Sequence, residues 1–360
     1  MERASLEVAW YVYAGFLAFV IAMLLVDLKL FHAEEHEPTT KESATWVAIW
    51  ISLALAFGLG VYIWGDAQLA GEYFAGYLIE YSLSVDNMFV FVVIFSYFNV
   101  PRAFQHQVLF FGILGAIIFR GIFIAAGVAL IENFSWMIYV FGAFLIYTAW
   151  RIAKGSAENV HPEDNPVLKF FRKHFPTTSR YDGQKLFTME NGKRVATPLF
   201  IVLLFIETTD ILFAVDSIPA IFGITQNPFI VLTSNVFAIL GLRALYFLLA
   251  HGFDRLHLLK YGLAIILAFV GLKMLGTAVS CTGESMFCHN GHLSVPIWFS
   301  LGFIVSVLGI TALLSFKLAP PRQRELEHEI EARIPPPDQT PAADRHATTD
   351  AEEQERTRTP

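Results

Sequence analysis

Charge is scarce in this chain: only 16% of its 360 residues are Asp, Glu, Lys or Arg, against about a quarter in an ordinary soluble domain. With 55% hydrophobic residues, 15% aromatic residues and a mean hydropathy of +0.52, that shortage excludes a water-soluble globular protein. Cysteine is scarcer still. Two residues, Cys281 and Cys288, exclude a disulfide framework and leave room for a single bridge. No nucleophile paired with a base, phosphate-cradling loop or cofactor motif stands out, so an enzyme is the least favoured class and no cofactor is expected. The net charge of −7 sits largely in a polar tail, and no nucleic-acid partner is expected.

What is present is a series of long apolar runs, at residues 8 to 28, 46 to 64, 74 to 98, 108 to 131, 134 to 150, 198 to 222, 229 to 250, 261 to 279 and 296 to 316. They predict an all-α polytopic membrane protein of about nine transmembrane helices in a lipid bilayer. No small-residue cleavage pattern follows the first run, which is read as a retained helix.

Lys and Arg residues set the orientation. With the N-terminus outside, 21 of the 25 fall in inner segments and only Arg3 lies outside, while Arg120, Arg243 and Lys273 fall within helices. The expectation is an outer N-terminus and a cytoplasmic C-terminus in a bacterial plasma membrane. Residues 1 to 66 would then hold two peripheral helices, 67 to 153 a first repeat of three helices, 154 to 196 a cytoplasmic loop and 197 to 280 a second repeat. Residues 281 to 318 would form an outer loop and the ninth helix, and 319 to 360 a disordered cytoplasmic tail.

The repeats rest on a motif written twice. Glu80-Tyr81-Ser82-Leu83-Ser84-Val85-Asp86-Asn87 and Asp210-Ile211-Leu212-Phe213-Ala214-Val215-Asp216-Ser217 each place two carboxylates six positions apart, with a small polar residue after the second. One helix later come Arg120 and Arg243. The two copies enter the membrane from opposite sides, the pattern of an inverted repeat of three plus three helices with a binding site near the midplane. A carboxylate at the bilayer centre costs at least about 2.5 to 3.5 kcal/mol, so such acids face one another, a cation or water.

The candidate ligands are Glu80, Asp86, Asn87, Glu207, Asp210, Asp216 and Ser217, with the hydroxyls of Ser82, Ser84, Thr208 and Thr209 in reserve. All are oxygen donors, which suits hard divalent ions such as Mn2+, Mg2+ or Ca2+. Five acids against three bases leave two negative charges, which one divalent cation neutralises. Arg120, Arg243 and Lys273 are read as charge-balancing groups. Six residues of helix separate the paired acids by about 120° and 9 Å, so they converge only across a broad face or where the helix opens. Pro219 is a candidate for opening it. Weaker features are the loop from His32 to Glu37, read as a short charged connection, and the run containing Cys281, Cys288, His289 and His292, where a disulfide is favoured over zinc.

Together with Met88-Phe89-Val90-Phe91, Phe141 to Leu145, Pro228 to Ala238, Gly241 to Ala244 and Lys260 to Ala264, these motifs resemble the TerC family, its Alx-type bacterial members above all. The resemblance implies an integral membrane protein of the LysE-like transporter superfamily, associated with Mn2+ export, alkaline response and, by name, tellurium resistance. It also implies that Glu80, Asp86, Glu207, Asp210 and Asp216 are the family's membrane-embedded acids. The leading expectation is export of a divalent metal ion as transported substrate, in exchange for protons. The alternatives are an exporter of Ca2+ or a cationic amino acid, and a non-transporting membrane partner in stress or biogenesis. Protein partners are not indicated.

Overall fold

The computed structural model describes residues 8 to 31, 39 to 154, 169 to 171, 173, 175 to 178, 180 to 190, 192 to 249, 258 to 277, 288 to 289, 292 to 293 and 295 to 318. The polar tail, the loop from His32 to Glu37 and the residue Cys281 with the side chain of Cys288 lie outside the described residues.

Apolar runs became helices, and their polar flanks set the ends. The helices are α1 (Trp10–Phe31), α2 (Thr40–Trp64), α3 (Ala67–Tyr97), α4 (Arg102–Asn133), α5 (Met137–Ala153), α6 (Pro198–Phe222), α7 (Pro228–Leu240), α8 (Leu242–Leu249), α9 (Leu259–Gly276) and α10 (Ile297–Lys317). Among the described residues seven spans are long and apolar enough to cross a membrane, with α7 and α8 forming one of them. Two shorter apolar helices, Trp10–Val26 and Met137–Ala153, accompany them. The protein is a multi-pass, all-α membrane protein.

Several helices start earlier than hydropathy predicts because side chains cap them. Thr39 and Glu42 form a reciprocal capping box on α2, and Asp66 accepts from the Leu69 N–H at the head of α3. Asn227 does the same for α7, with Pro228 supplying the first helical residue.

A four-residue turn joins α3 to α4, with Asn99 at φ 49°, a left-handed conformation that Asn tolerates. The turn makes α3 and α4 antiparallel. Helix α4 runs alongside α6 in the same direction: Gly112 meets Ile206, Arg120 meets Asp210 and Gly127 meets Phe222. Helices α3 and α7–α8 also run together, from Glu72 at Thr225 through Gly76 at Ser234 to Phe95 at Tyr246. The two acid-bearing helices, α3 and α6, therefore point in opposite directions.

Helices α5 and α9 pack against each other at Gly142 and Gly271, where a Cβ on either would come within 3.0 Å and 2.7 Å of the other's carbonyl oxygen. Only glycine permits that approach. At the centre, 89% of the apolar window of Pro228–Leu249 is buried, against 17% in α2 and 11% in α10. That contrast makes α2 and α10 the outer wall. An aromatic cluster of Phe16, Phe57, Tyr73 and Phe237 seats α1 and α2 on α3 and α7.

Two expectations change. Helix α6 passes Pro219 without interruption and ends at Phe222, so it does not open between its acids. The break falls instead at Gly241, between α7 and α8, where glycine weakens a helix that hydropathy reads as continuous. The loop before α6 also carries a hairpin, β1 (Phe187–Glu190) with β2 (Lys193–Ala196), turning at Gly192 with φ 75°. It is tied down by Tyr181, whose hydroxyl donates to the Phe98 carbonyl at 2.8 Å, and by Thr197, whose hydroxyl donates to Lys185. A second, smaller pair, β3 (Cys288–His289) with β4 (His292–Leu293), precedes α10.

Candidate functional site

Arg120 is the centre of the buried charge. Its side chain is 1% exposed, and it reaches acids on two helices that run in opposite directions. The guanidinium holds Asp210 with a fork, Nε to Oδ2 at 3.2 Å and Nη2 to Oδ1 at 3.0 Å. Its remaining arm, Nη1, donates to Glu80 and to the Ser217 hydroxyl at 3.3 Å. Such bidentate, charge-assisted bonds are the strong class of hydrogen bond. Ser84 adds a donor to Glu80 at 3.4 Å.

The arrangement leaves oxygen lone pairs over. Glu80 Oε2 and Glu207 Oε2 are buried without a hydrogen-bond partner. Glu207 shares a helix face with Asp210 one turn on, and its carboxylate fills the space that Gly115 leaves on α4. Beside the cluster lies a cavity lined by Met88, Phe91, Gly112, Ala116, Ile206 and Leu242, with Asp210 as the polar residue in its wall.

The second acid of each motif sits elsewhere. Asp86 is exposed. Asp216 is half-buried, accepts from Thr148 at 3.1 Å and pairs with Arg151 at 3.4 Å. Asn87 and Arg243 are buried. Ser82, Thr208 and Thr209 each donate to a carbonyl four residues back in their own helix. Among the described residues no three His, Cys, Asp or Glu side chains stand close enough to grip a metal together in this conformation. The structure thus brings together Glu80, Asp210 and Ser217 around Arg120 and leaves Asp86 and Asp216 apart.

Four polar or charged residues near the expected ones, Glu72, Thr148, Arg151 and Asn235, escape a reading of the sequence, and Lys273 finds a different partner. Lys273 lies within electrostatic reach of Glu72 rather than of a motif acid. Glu72 also accepts from Thr225 in the α6–α7 turn. Thr148 and Arg151, at the end of α5, serve Asp216. The fourth, Asn235, is a neutral residue in the middle of α7, fully enclosed. Adding Glu72 and Arg151 makes six acids and four bases, and the surplus of two negative charges stands.

Residues 65–323 match the Integral membrane protein TerC family. The chain belongs to the TerC family. Among its relatives is an uncharacterized membrane protein of Myxococcus xanthus, 51% identical over 262 residues, which cover 73% of this chain and 82% of that one. Alx of Escherichia coli K12, named as a candidate membrane-bound redox modulator, is 43% identical over 325 residues, 88% of this chain and 96% of Alx. The thylakoid membrane protein TERC of Arabidopsis thaliana is 45% identical over 241 residues, 67% of this chain and 63% of TERC. No solved structure matches the chain. The TerC match covers the Arg120 cluster whole, from Glu80 on α3 to Ser217 on α6, and the Glu72 and Lys273 pair as well.

Proposed function

We propose that this TerC protein is a secondary transporter that exports a divalent metal ion, Mn2+ foremost, across a bacterial plasma membrane in exchange for protons. The observation that carries this reading is the meeting of Glu80 and Asp210, from helices of opposite direction, at one buried arginine beside a cavity. With Glu207, the three acids outnumber Arg120 by two. One divalent cation or two protons neutralises that surplus, which is the bookkeeping of an electroneutral exchanger.

Arg120 holds Glu80 and Asp210 in place by charge-assisted hydrogen bonds when no metal is bound. A dication competes for the same oxygens and displaces the guanidinium. All the donors are oxygen, the ligand type of Mn2+, Mg2+ and Ca2+. The cavity reaches from Asp210 toward Met88, Phe91 and Leu109, the cytosolic half if the N-terminus is outside. On the other side of Arg120, Ile124, Ile218, Phe222 and Val231 pack the helices together in an apolar cluster. On this reading, a cavity on the inner side and a closed outer side suit a state that takes cargo from the cytosol.

The name of the Alx relatives favours a second reading, modulation of redox state. The Arg120 cluster contains no sulfur, so on this chain that activity would run through Cys281 and Cys288. Flux in proteoliposomes separates the readings. Mn2+ uptake driven by an imposed pH gradient, retained in Cys281→Ser/Cys288→Ser and lost in Asp210→Asn, supports transport. No divalent flux under any gradient overturns it.

A further inference from the structure

Asn235 is enclosed completely, with 0% of its surface exposed, and both polar atoms of its carboxamide lack a hydrogen-bond partner. Its neighbours do not share the problem. Thr233 donates to Phe229 and Ser234 donates to Val231, each within α7. An unpaired buried amide costs roughly 1 to 3 kcal/mol, and a leucine of similar size would avoid the cost. The position therefore has a use for a carboxamide that the resting protein does not display.

The depth of Asn235 follows from its helix partners. Helix α7–α8 runs antiparallel to α4: Tyr246 donates to Gln105 at 3.0 Å, and Val231 packs in one cluster with Ile124. Moving from Val231 to Asn235 descends one turn on the same face. The same descent on α4 leads from Ile124 to Arg120. On α3, Ser234 stands at Gly76, one turn before Glu80. By its register with α4, Asn235 stands near the level of Arg120, and by its register with α3 it stands within one turn of Glu80, whose Oε2 is unpartnered.

We propose that Asn235 is the neutral ligand of the transport site, its carboxamide oxygen taking the dication beside Glu80 once Arg120 lets go. This rests on the transport reading above and adds what the acids lack. Carboxylates alone bind any hard cation, and a neutral oxygen of fixed position tunes ligand charge and number, on which choice between such ions depends. The Nδ2 amide, in the same plane and diverging from the oxygen at Cγ, then donates to a neighbouring carboxylate and keeps the oxygen aimed at the metal.

The test uses the full chain in proteoliposomes, with Mn2+ and Ca2+ as probes. Asn235→Ala is expected to raise KM for Mn2+ about tenfold with the protein still inserted. Asn235→Asp, of equal size, is expected to restore Mn2+ transport and to change the Mn2+ to Ca2+ rate ratio by several-fold. Asn235→Leu discriminates a packing role: an unchanged KM with a raised melting temperature would show that only a buried amide was lost, and would overturn the proposal. If the alanine variant does not assemble, the Asn235→Asp ratio decides alone, and an unaltered ratio overturns the proposal. Wild-type vesicles that move no divalent ion would overturn the transport reading as well, an outcome distinct from active vesicles indifferent to Asn235.

Discussion

Glu80 and Asp86 stand six residues apart on α3, and Asp210 and Asp216 stand six residues apart on α6, yet the two members of each pair live in different surroundings. Glu80 and Asp210 are enclosed and share Arg120. Asp86 is exposed, and Asp216 is half-buried beside Thr148 and Arg151. Because α3 and α6 run in opposite directions, Asp86 and Asp216 lie on opposite sides of the arginine along the membrane normal, each about 9 Å away along its helix. One motif written twice thus yields a central pair and two flanking acids. Repetition supplies the positions, and helix direction assigns the tasks.

The largest expected effect tests the central pair. Arg120→Leu leaves two enclosed carboxylates without a counter-charge, and loss of one partner of a buried pair costs about 3 to 5 kcal/mol. Arg151→Leu removes a partner that is 43% exposed, where the worth of a pair is about 1 kcal/mol or less. Thermal melts of the two purified variants in detergent should differ widely, and equal losses would erase the distinction between centre and flank.

Next come the flanking acids. Asp86→Asn and Asp216→Asn are each expected to abolish Mn2+ export while leaving insertion intact, because the amide keeps size and removes charge. Single-turnover loading sharpens the comparison: Asp86→Asn should impair metal acceptance from the side of the cavity, and Asp216→Asn from the other. Normal flux through both variants would return these acids to a structural role.

A smaller effect is expected at Gly115. A methyl there meets the far end of the Glu207 side chain, which can swing aside, so the cost falls at or below the low end of the roughly 1 to 3 kcal/mol of rigid overpacking. Gly115→Ala should lower the melting temperature, whereas Gly121→Ala, which meets nothing within 4 Å, should not.

The smallest effect lies outside the membrane. Asp182 is held below the usual carboxylate range by the Thr188 hydroxyl and then by Lys185. A depressed folded pKa stabilises the hairpin above the carboxylate's unfolded pKa and loses that contribution as pH falls through the folded value. Protection of the β1 and β2 amides, corrected for the intrinsic pH dependence of exchange, should fall at acid pH, and Asp182→Asn should make that protection insensitive to pH in the same range. A hairpin that opens equally at all pH values would assign its stability to Tyr181 and Thr197 instead.

Hydropathy made the membrane segments legible, because a run of 20 apolar residues has few other fates. The capped first turns of α2 and α3 were not, since Thr39, Glu42 and Asp66 read as loop. Glu72 was missed for the same reason: it lies before the apolar stretch of α3. Arg120 was legible as a charge in need of partners, but which acids it would take depends on helices 40 and 90 residues distant in sequence. Asn235 gave no signal, because one neutral amide leaves the mean hydropathy of a long apolar run high, at 1.7 for Pro228–Leu249, and its missing partners are seen only in the structure. Pro219 suggested an opening, and α6 closes over it because neighbouring helices hold the segment on both sides.

Pro219 still leaves a mark on α6. It has no backbone N–H, so the Val215 carbonyl receives no hydrogen bond from four residues on. Flexing α6 there breaks no further rung, whereas flexing it a turn away would break one. The hinge falls beside Asp216 and Ser217. Swinging the end of α6 at that joint would draw Ser217 off the guanidinium and leave the fork on Asp210, seven residues earlier, intact. The grip on Arg120 can therefore be loosened one bond at a time from the far end of the helix, without unwinding any of it.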